Sequence, residues 1–521
     1  MDPMLPPPLP RGQAPRWPHH LAAIDMGSNS FRLDIGEVVA GGYRRIAYLK
    51  ETVRLGAGLD ATGMLTEEAA RRGLACLDGF AQRLSGYDAQ QVRAVATQTL
   101  REARNRDAFL VRAQAALGHP IEVISGREEA RLIYSGVARL QPSALPRLVI
   151  DIGGRSTEMI IGTGLRPQRA ESFQVGSVSL SMRFFPEGRL GAAAFRQAQI
   201  AAGAELEEAL MPFARHHWQE ALGASGTVGA VSQLLLASGR TDGTITPEGL
   251  RWCIRRCVEA GHIDQLEMPG LRDDRRQVIA GGLSLLYTLA THFGIDALRP
   301  AQGALRQGVI FDLAERRVAE QDPAQARDMR DASVRELQRR FMVDVQQAAN
   351  VARLAQQLYN GAAPAARDGS AGEGQRELLW AAALHETGMM VSHHDHHRHS
   401  AYLLGHVDAA GFSQSQQRRL ADLVLAQRGS LRKIEPALAN PDFAWQALCL
   451  RLAIIKCHAR RPIALDALRL RRDADREDRA LLVLAPGWAE RNPRTLYLLN
   501  EEIATWDRSG PLRLRMAPEA V

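Results

Sequence analysis

The chain has 521 residues, 45% hydrophobic and 24% charged, with a formal net charge of +7. At roughly 150 residues per domain this length predicts three or four domains and excludes a single small module. No stretch reaches the ~18 unbroken apolar residues of a membrane span, and five scattered cysteines make no disulfide framework, which suits a reducing cytoplasm.

Residues 1–20 are Pro-rich and carry no secretory signal, so they read as a disordered tail. Leu21 to Asp25 and Phe31 to Val39 are apolar strands joined by a Gly/Ser turn, and Thr66 caps a helix running to Leu84. Val92 to Ala96 and Ile121 to Ile124 are short strands that each lead into a helix. Leu148 to Ile152 and Thr157 to Ile161 repeat the first hairpin: an apolar strand ending in Asp, a small-residue turn, a second strand. Two copies of this unit predict a duplicated lobe with a cleft between the halves. A third small-residue turn around Gly226 opens a helix to about Leu236, and Cys253 and Cys257, four apart, belong to one buried helical face. The stretch Ala314 to Asp344, charged and Arg-rich, reads as a seam. Helices follow from Val345 to about Arg461, broken by a loop from Gly361 to Glu373, and a β-rich end begins near Ile463.

A strand-end Asp followed by Gly and Ser residues has a chemical use. The uncrowded backbone N–H groups of the turn can wrap phosphate oxygens, and the carboxylate can hold Mg²⁺. Arg155 stands where the second turn would be expected to carry a third glycine. It either joins the phosphate grip or makes the loop less open. In Ser125-Gly126-Arg127-Glu128-Glu129, Ser125 and Glu128 form a capping box. Glu129 lies about 100° further round the helix, free to face the cleft as a base for a water nucleophile. Basic residues are almost all arginine, since Lys50, Lys433 and Lys456 are the lysines among 65 cations. Coding bias accounts for much of this, although guanidinium forks also suit a polyanion.

The ordered segments AAIDMGSNSFRL, ETVRLGAGLDATGMLTEEA, AVATQTLREA, EVISGREEARLIYSGV, VIDIGGRSTEMIIG, QVGSVSLSMRFFP, GASGTVGAV and GALRQGVIFDL together resemble the exopolyphosphatase/guanosine pentaphosphate phosphohydrolase family, within the actin-like and sugar-kinase-like ATPase superfamily. The likeness covers residues 21 to about 313, and HRHSAYLL extends it beyond 320. It implies an α/β fold of two actin-like (ribonuclease H-like) lobes, 21–135 and 136–318, then an all-α HD-like domain, 319–450, and a small α+β end domain, 451–521. By the same resemblance Glu129 is the catalytic base. Asp151 and Glu158 bind Mg²⁺, with Asp25 facing them from the first lobe. Gly27, Ser28, Asn29 and Ser30 form one phosphate loop and Gly153, Gly154, Arg155 and Ser156 the other; Arg54, Thr97, Arg101, Gly226 and Thr227 complete the phosphate lining. Gln307 stands where the family pattern GALR-E-G has Glu.

The implied activity is Mg²⁺-dependent release of terminal orthophosphate from linear polyphosphate. Guanosine pentaphosphate is the alternative substrate, and GTITPEGL and MPGLRDDRR look more like the polyphosphate enzyme. A homodimer in the cytoplasm, peripheral at the inner face of the cell membrane, is expected. Nucleic acid is not, because only 5% of residues are aromatic and no basic motif is interleaved with them. Seven of the 15 histidines, from His385 to His406, suggest a metal site like that of HD phosphohydrolases. Gln347 in place of a first His ligand, and Glu386 in place of Asp, point instead to a degenerate site that holds the distal part of a polyanion or forms a dimer face.

Overall fold

The structure, a computed structural model, describes residues 19–39, 42–321, 328–362, 371–473, 475–476 and 478–517. Of the tail expected over residues 1–20, residues 1–18 lie outside these, as does the central part, 363–370, of the expected loop; His20 is described and is held by Tyr87 and Glu37. The chain forms two units, Met1–Arg327 and Asp328–Val521.

The first unit contains two five-stranded sheets of the same design. β1 (Leu21–Met26), β2 (Phe31–Val39), β3 (Gly42–Glu51), β4 (Val92–Ala96) and β5 (Ile121–Val123) lie in the order β3-β2-β1-β4-β5. β6 (Arg147–Ile152), β7 (Thr157–Thr163), β8 (Arg166–Phe173), β9 (Glu220–Gly223) and β10 (Leu298–Pro300) repeat it as β8-β7-β6-β9-β10. In each sheet the hairpin-linked strands are antiparallel and the rest parallel. Parallel pairing needs a crossover, which explains why helices separate β3 from β4 and β4 from β5. The register repeats as well. Asp25 sits opposite Arg32 in the first hairpin, and Asp151 opposite Glu158 in the second. The duplicated frame therefore holds a carboxylate against a guanidinium in one lobe and against a second carboxylate in the other.

Two helices join the lobes. Gly126–Leu140 packs on β7 and β8, and Leu305–Gln321 packs on β1 and β2, so each crosses to the sheet of the other half. Their shared core, with Leu132, Val137, Val309 and Ile310, also takes in Ala23 and Val149 from the central strands. The lobe boundaries expected at 135/136 and 318/319 fall inside these two helices. The backbones touch at Gly308, where any Cβ would overlap the Leu132 carbonyl. A buried ion cluster sets the same helices. Asp312 accepts from Arg93, Arg131 and Arg316, and these cations hold its carboxyl well below the ordinary carboxylate range.

Local expectations from sequence hold at several element starts. The Thr66 side chain accepts from the Ala69 amide, and Ser125 Oγ accepts from Glu128 N. The Glu128 half of the capping box is spent differently, because its carboxylate receives Arg131 Nε and Nη2 at 2.7 and 2.8 Å. Cys253 and Cys257 are fully buried on one helical face.

In the second unit, helices Val345–Ala362 and Ala371–Leu384 extend into both ends of the loop expected from Gly361 to Glu373. Helix Pro441–Cys457 runs through the boundary expected at 450/451. It shares one core with the end sheet, β11 (Leu468–Arg472), β12 (Arg479–Leu484) and β13 (Arg513–Met516), and with helix Pro493–Ser509. The end segment is thus α+β, and it is packed into the helical layer. Among the described residues no helix is long and apolar enough to cross a membrane.

Candidate active site between the lobes

Both strand-end hairpins open onto one cavity of about 570 Å³. Its wall includes Asp25, Gly27, Ser28, Asn29 and Ser30 from the first turn, Asp151, Gly153, Gly154 and Ser156 from the second, and Thr97, Glu129, Gly226 and Thr227. The two turns touch. At Gly154 a Cβ would lie 3.0 Å from Ser28 Cβ, so a side chain there would push the loops apart. Gly153 and Gly154 carbonyls are tied to the amides of Ser177, Val178 and Ser179, which leaves the turn fixed. Thr99 Oγ1 donates to Ser28 Oγ at 2.8 Å, and Thr227 Oγ1 donates to the Ile152 carbonyl at 3.2 Å.

Four carboxylates converge here. Glu129, on the first turn of its helix, accepts from Arg101 Nη1 through Oε2 at 2.8 Å. Burial raises its pKa against the opposing Arg101 charge. Burial and the nearby Glu129 push Asp151 up to about 7, with Arg32 opposing. Glu158 is buried beneath, set back from the cavity wall. Its Oε1 receives Ser172 Oγ at 2.8 Å, and burial with the Glu129 and Asp151 charges raises it well above the usual range. Asp25 differs: its Oδ2 receives Arg32 Nη1 at 2.9 Å and Arg306 Nη1 at 3.5 Å.

Three sequence-selected arginines behave differently from one another. Arg101 is set back, and its Nη2 is buried with no partner among the described residues. Arg54 bonds through its backbone, N–H to the Asn29 carbonyl at 2.9 Å, while its side chain is exposed. Arg155 turns away from the cavity to Glu102 and the Gly56 carbonyl, so its side chain does not join the phosphate grip that the first alternative expected.

Sequence reading missed the cations of the wall: Arg32, Arg45, Lys50, Arg272, Arg275 and Arg306. Burial, and the neighbouring Arg32 and Arg272 charges, pull Arg275 below its ordinary value, so positive charge is crowded there. Several sit in quoted motifs (Arg32 after SNSF, Arg306 in GALRQG, Arg275 in RDDRR), but an Arg-rich chain hides the few that converge. Gln307 is explained by its neighbour. Its Nε2 donates at 2.7 Å to Asp34 Oδ2, a fully buried carboxylate that also receives Tyr43 and Arg45. A glutamate would set two buried carboxylates together, and the amide supplies the donor that Asp34 needs.

The histidine-rich stretch does not gather into a centre. Among the described residues no group of three His, Cys, Asp or Glu side chains is placed to hold a metal ion. His385 is buried against the Ala382 carbonyl, His394 faces solvent, Glu386 is taken by Arg460, and Gln347 donates to the Cys457 carbonyl.

Comparison with known proteins identifies the family and the fold. Residues 35–317 match the Ppx/GppA phosphatase family, and residues 329–503 match domain III of that family. An exopolyphosphatase-like protein of known structure is 26% identical, covering 58% of this chain and 99% of its own, with a TM-score of 0.52. An exopolyphosphatase from Cytophaga hutchinsonii is 24% identical over 56% of this chain and 97% of its own, with a TM-score of 0.51, and shares the fold. Both share the fold of the two duplicated sheets around a cleft. The chain is a member of the Ppx/GppA phosphatase family.

Proposed function

We propose that the protein is an exopolyphosphatase that hydrolyses the terminal phosphoanhydride of linear polyphosphate with water activated by Glu129. The observation that carries this reading is the placement of Glu129 beside Asp151 in a cavity walled by two small-residue turns and by arginines from both lobes. Phosphoryl transfer asks for positioning and charge neutralisation more than covalent chemistry, and this wall offers both. Glu129 Oε2 is engaged by Arg101, so we assign Oε1 as the oxygen that takes the water's proton. Burial raises its pKa, which makes this carboxylate a stronger base than an exposed one. Arg101, set back from the cavity, holds Glu129 rather than the phosphate.

The acidic donors suit Mg²⁺. Asp151 and Glu158 oppose each other in register; burial first, and then neighbouring carboxylates with Glu129 foremost, raise both, and a divalent cation would relieve the carboxylate part of that strain. Mg²⁺ typically keeps several waters and takes one or two carboxylates plus phosphate oxygens, a role Asp151 and Glu158 could fill. When bound there, Mg²⁺ supplies neutralisation of the phosphate charge. Asp25, expected as a further ligand, we reassign to holding Arg32 and Arg306 in the wall.

Polyphosphate is favoured over guanosine pentaphosphate by the cavity's aromatic content. Tyr48 is the aromatic lining residue among the described residues, and Arg45 and Arg306 guanidinium carbons lie 5.1 and 5.3 Å from its ring centre. With cations over the ring, stacking of a base is disfavoured while anion binding is served.

The deciding measurement is orthophosphate release from long polyphosphate and from guanosine pentaphosphate, side by side, with Mg²⁺ and with chelator. Faster turnover of the polymer, abolished by chelator, is expected. Glu129→Gln should lower the rate by at least about a hundredfold while the polymer still binds; an active variant removes the base assignment.

A further inference from the structure

The residue that departs from the family's turn pattern has a definite structural role. Arg155 lies in the second turn, and all three of its guanidinium nitrogens are occupied in the other lobe. Nε and Nη2 reach Glu102 Oε2 at 2.9 and 2.8 Å, and Nη1 donates to the Gly56 carbonyl at 3.2 Å. Three of its five N–H donors are spent on protein acceptors and the residue is absent from the cavity wall, so the side chain is not arranged to grip phosphate.

The contact continues inward. The other oxygen of Glu102, Oε1, accepts from Gln98 Nε2 at 2.6 Å. Gln98 Oε1 accepts from Arg101 Nε at 2.8 Å, and Arg101 Nη1 donates to Glu129 Oε2 at 2.8 Å. Donor and acceptor alternate without conflict. The Gln98 amide can face only one way, its NH₂ toward a carboxylate and its oxygen toward a guanidinium, so each end of the chain orients the next. Gln98, Arg101 and Glu102 all lie on the short helix Gln98–Glu102, which is too short to hold its side chains by its own stability.

We propose that Arg155 is a positioning residue: through Glu102, Gln98 and Arg101 it braces the Glu129 carboxylate from the opposite lobe, so that the base is aimed only while the second turn lies against the first lobe. The proposal rests on the reading of Glu129 as the base. A glycine at 155 would leave Glu102 with the Gln98 amide alone; Arg101 would keep Nη1 on the Ile124 carbonyl at 3.0 Å, but with its Nε side loosened the guanidinium would tilt the Glu129 carboxylate it holds. Small misplacements of a catalytic group cost rate rather than affinity.

The test uses the full-length protein with Mg²⁺ and polyphosphate of one defined length, comparing Arg155→Gly, Arg155→Lys, Glu102→Gln, the Arg155→Gly/Glu102→Gln pair and Glu129→Gln. Arg155→Gly and Glu102→Gln should each lower kcat by about ten- to a hundredfold and leave KM within about threefold. The pair should be little worse than the poorer single variant, because both break one chain. Arg155→Lys should recover part of kcat. A raised KM with unchanged kcat in Arg155→Gly overturns the proposal in favour of a direct grip on substrate. Additive losses in the pair overturn it too, since the two residues would then act separately. If Glu129→Gln is inactive while both Arg155→Gly and Glu102→Gln turn over like the wild type, the brace alone falls. If Glu129→Gln is active, the base assignment falls and takes the brace with it.

Discussion

Replacing Asp151 by Asn separates the stability of the acidic cluster from its chemistry. In the folded protein the Asp151 carboxyl is held at about 7 instead of 3.8, first by burial and then by Glu129. At about 1.36 kcal/mol per pKa unit the ionised form costs the fold about 4 kcal/mol, and partial exposure lowers this to roughly 2–4 kcal/mol. The folded chain binds this proton more tightly than the unfolded chain does. The penalty is therefore absent below pH ~4, grows between ~4 and ~7, and is complete above that window. Asn has nearly the same shape and cannot ionise. In metal-free protein, Asp151→Asn should melt with the wild type at pH 4.5 and several degrees above it at pH 8. Calorimetry on matched samples at pH 4.5, 6 and 8 with chelator measures the gap. Acid loss of other pairs, such as Asp312 with its arginines, is common to both proteins and cancels in the difference. Adding Mg²⁺ at pH 8 should raise the wild type far more than the variant, while the variant loses phosphate release. A melting difference that is independent of pH, or a variant less stable at pH 8 without metal, would show that Asp151 does not carry the charge strain described.

Gln307→Glu, which restores the family residue, should destabilise the protein by about 2–4 kcal/mol at pH 8, because a buried carboxylate replaces the donor to Asp34. The new carboxyl would be raised above its unfolded value, so the loss should shrink toward pH 4, and adding Asp34→Asn should recover most of it in thermal melts. Equal stability of Gln307→Glu and wild type at pH 8 would refute that account. Gly308→Ala places a methyl group into the Leu132 carbonyl and should cost at least about 3 kcal/mol. Because the displaced helix carries Glu129, phosphate release should fall with it; full activity with an unchanged melt would mean that the two helices can separate freely. Gly154→Ala should spread the two turns at Ser28, raising KM for polyphosphate by about tenfold or more with little change in melting. An unchanged KM would remove the loop contact from substrate binding.

What could be read from the sequence was what is decided within a few residues. The strands β1, β2, β4, β6 and β7, the Thr66 and Ser125 caps, the buried Cys253/Cys257 face and the repeated Asp–small-residue turn all rest on local periodicity and short-range hydrogen bonds. Glu129 was separable from Glu128 by the helical angle alone. The partners of charges were not readable, because a guanidinium can meet any carboxylate the fold brings near. Arg155 finds Glu102 across 53 positions, and Gln307 finds Asp34 across 273. The same holds for the domain edges. The helices around Glu129 and Gln307 cross to the opposite sheets, and the end sheet buries Leu468 and Leu514 in the helical core, since apolar faces are satisfied by whichever surface covers them. Sequence alone determined the hairpins, the turns and the acid at the head of the helix. Tertiary packing decided which cations line the cleft and what holds that acid in place, because burial and charge pairing depend on distances in space.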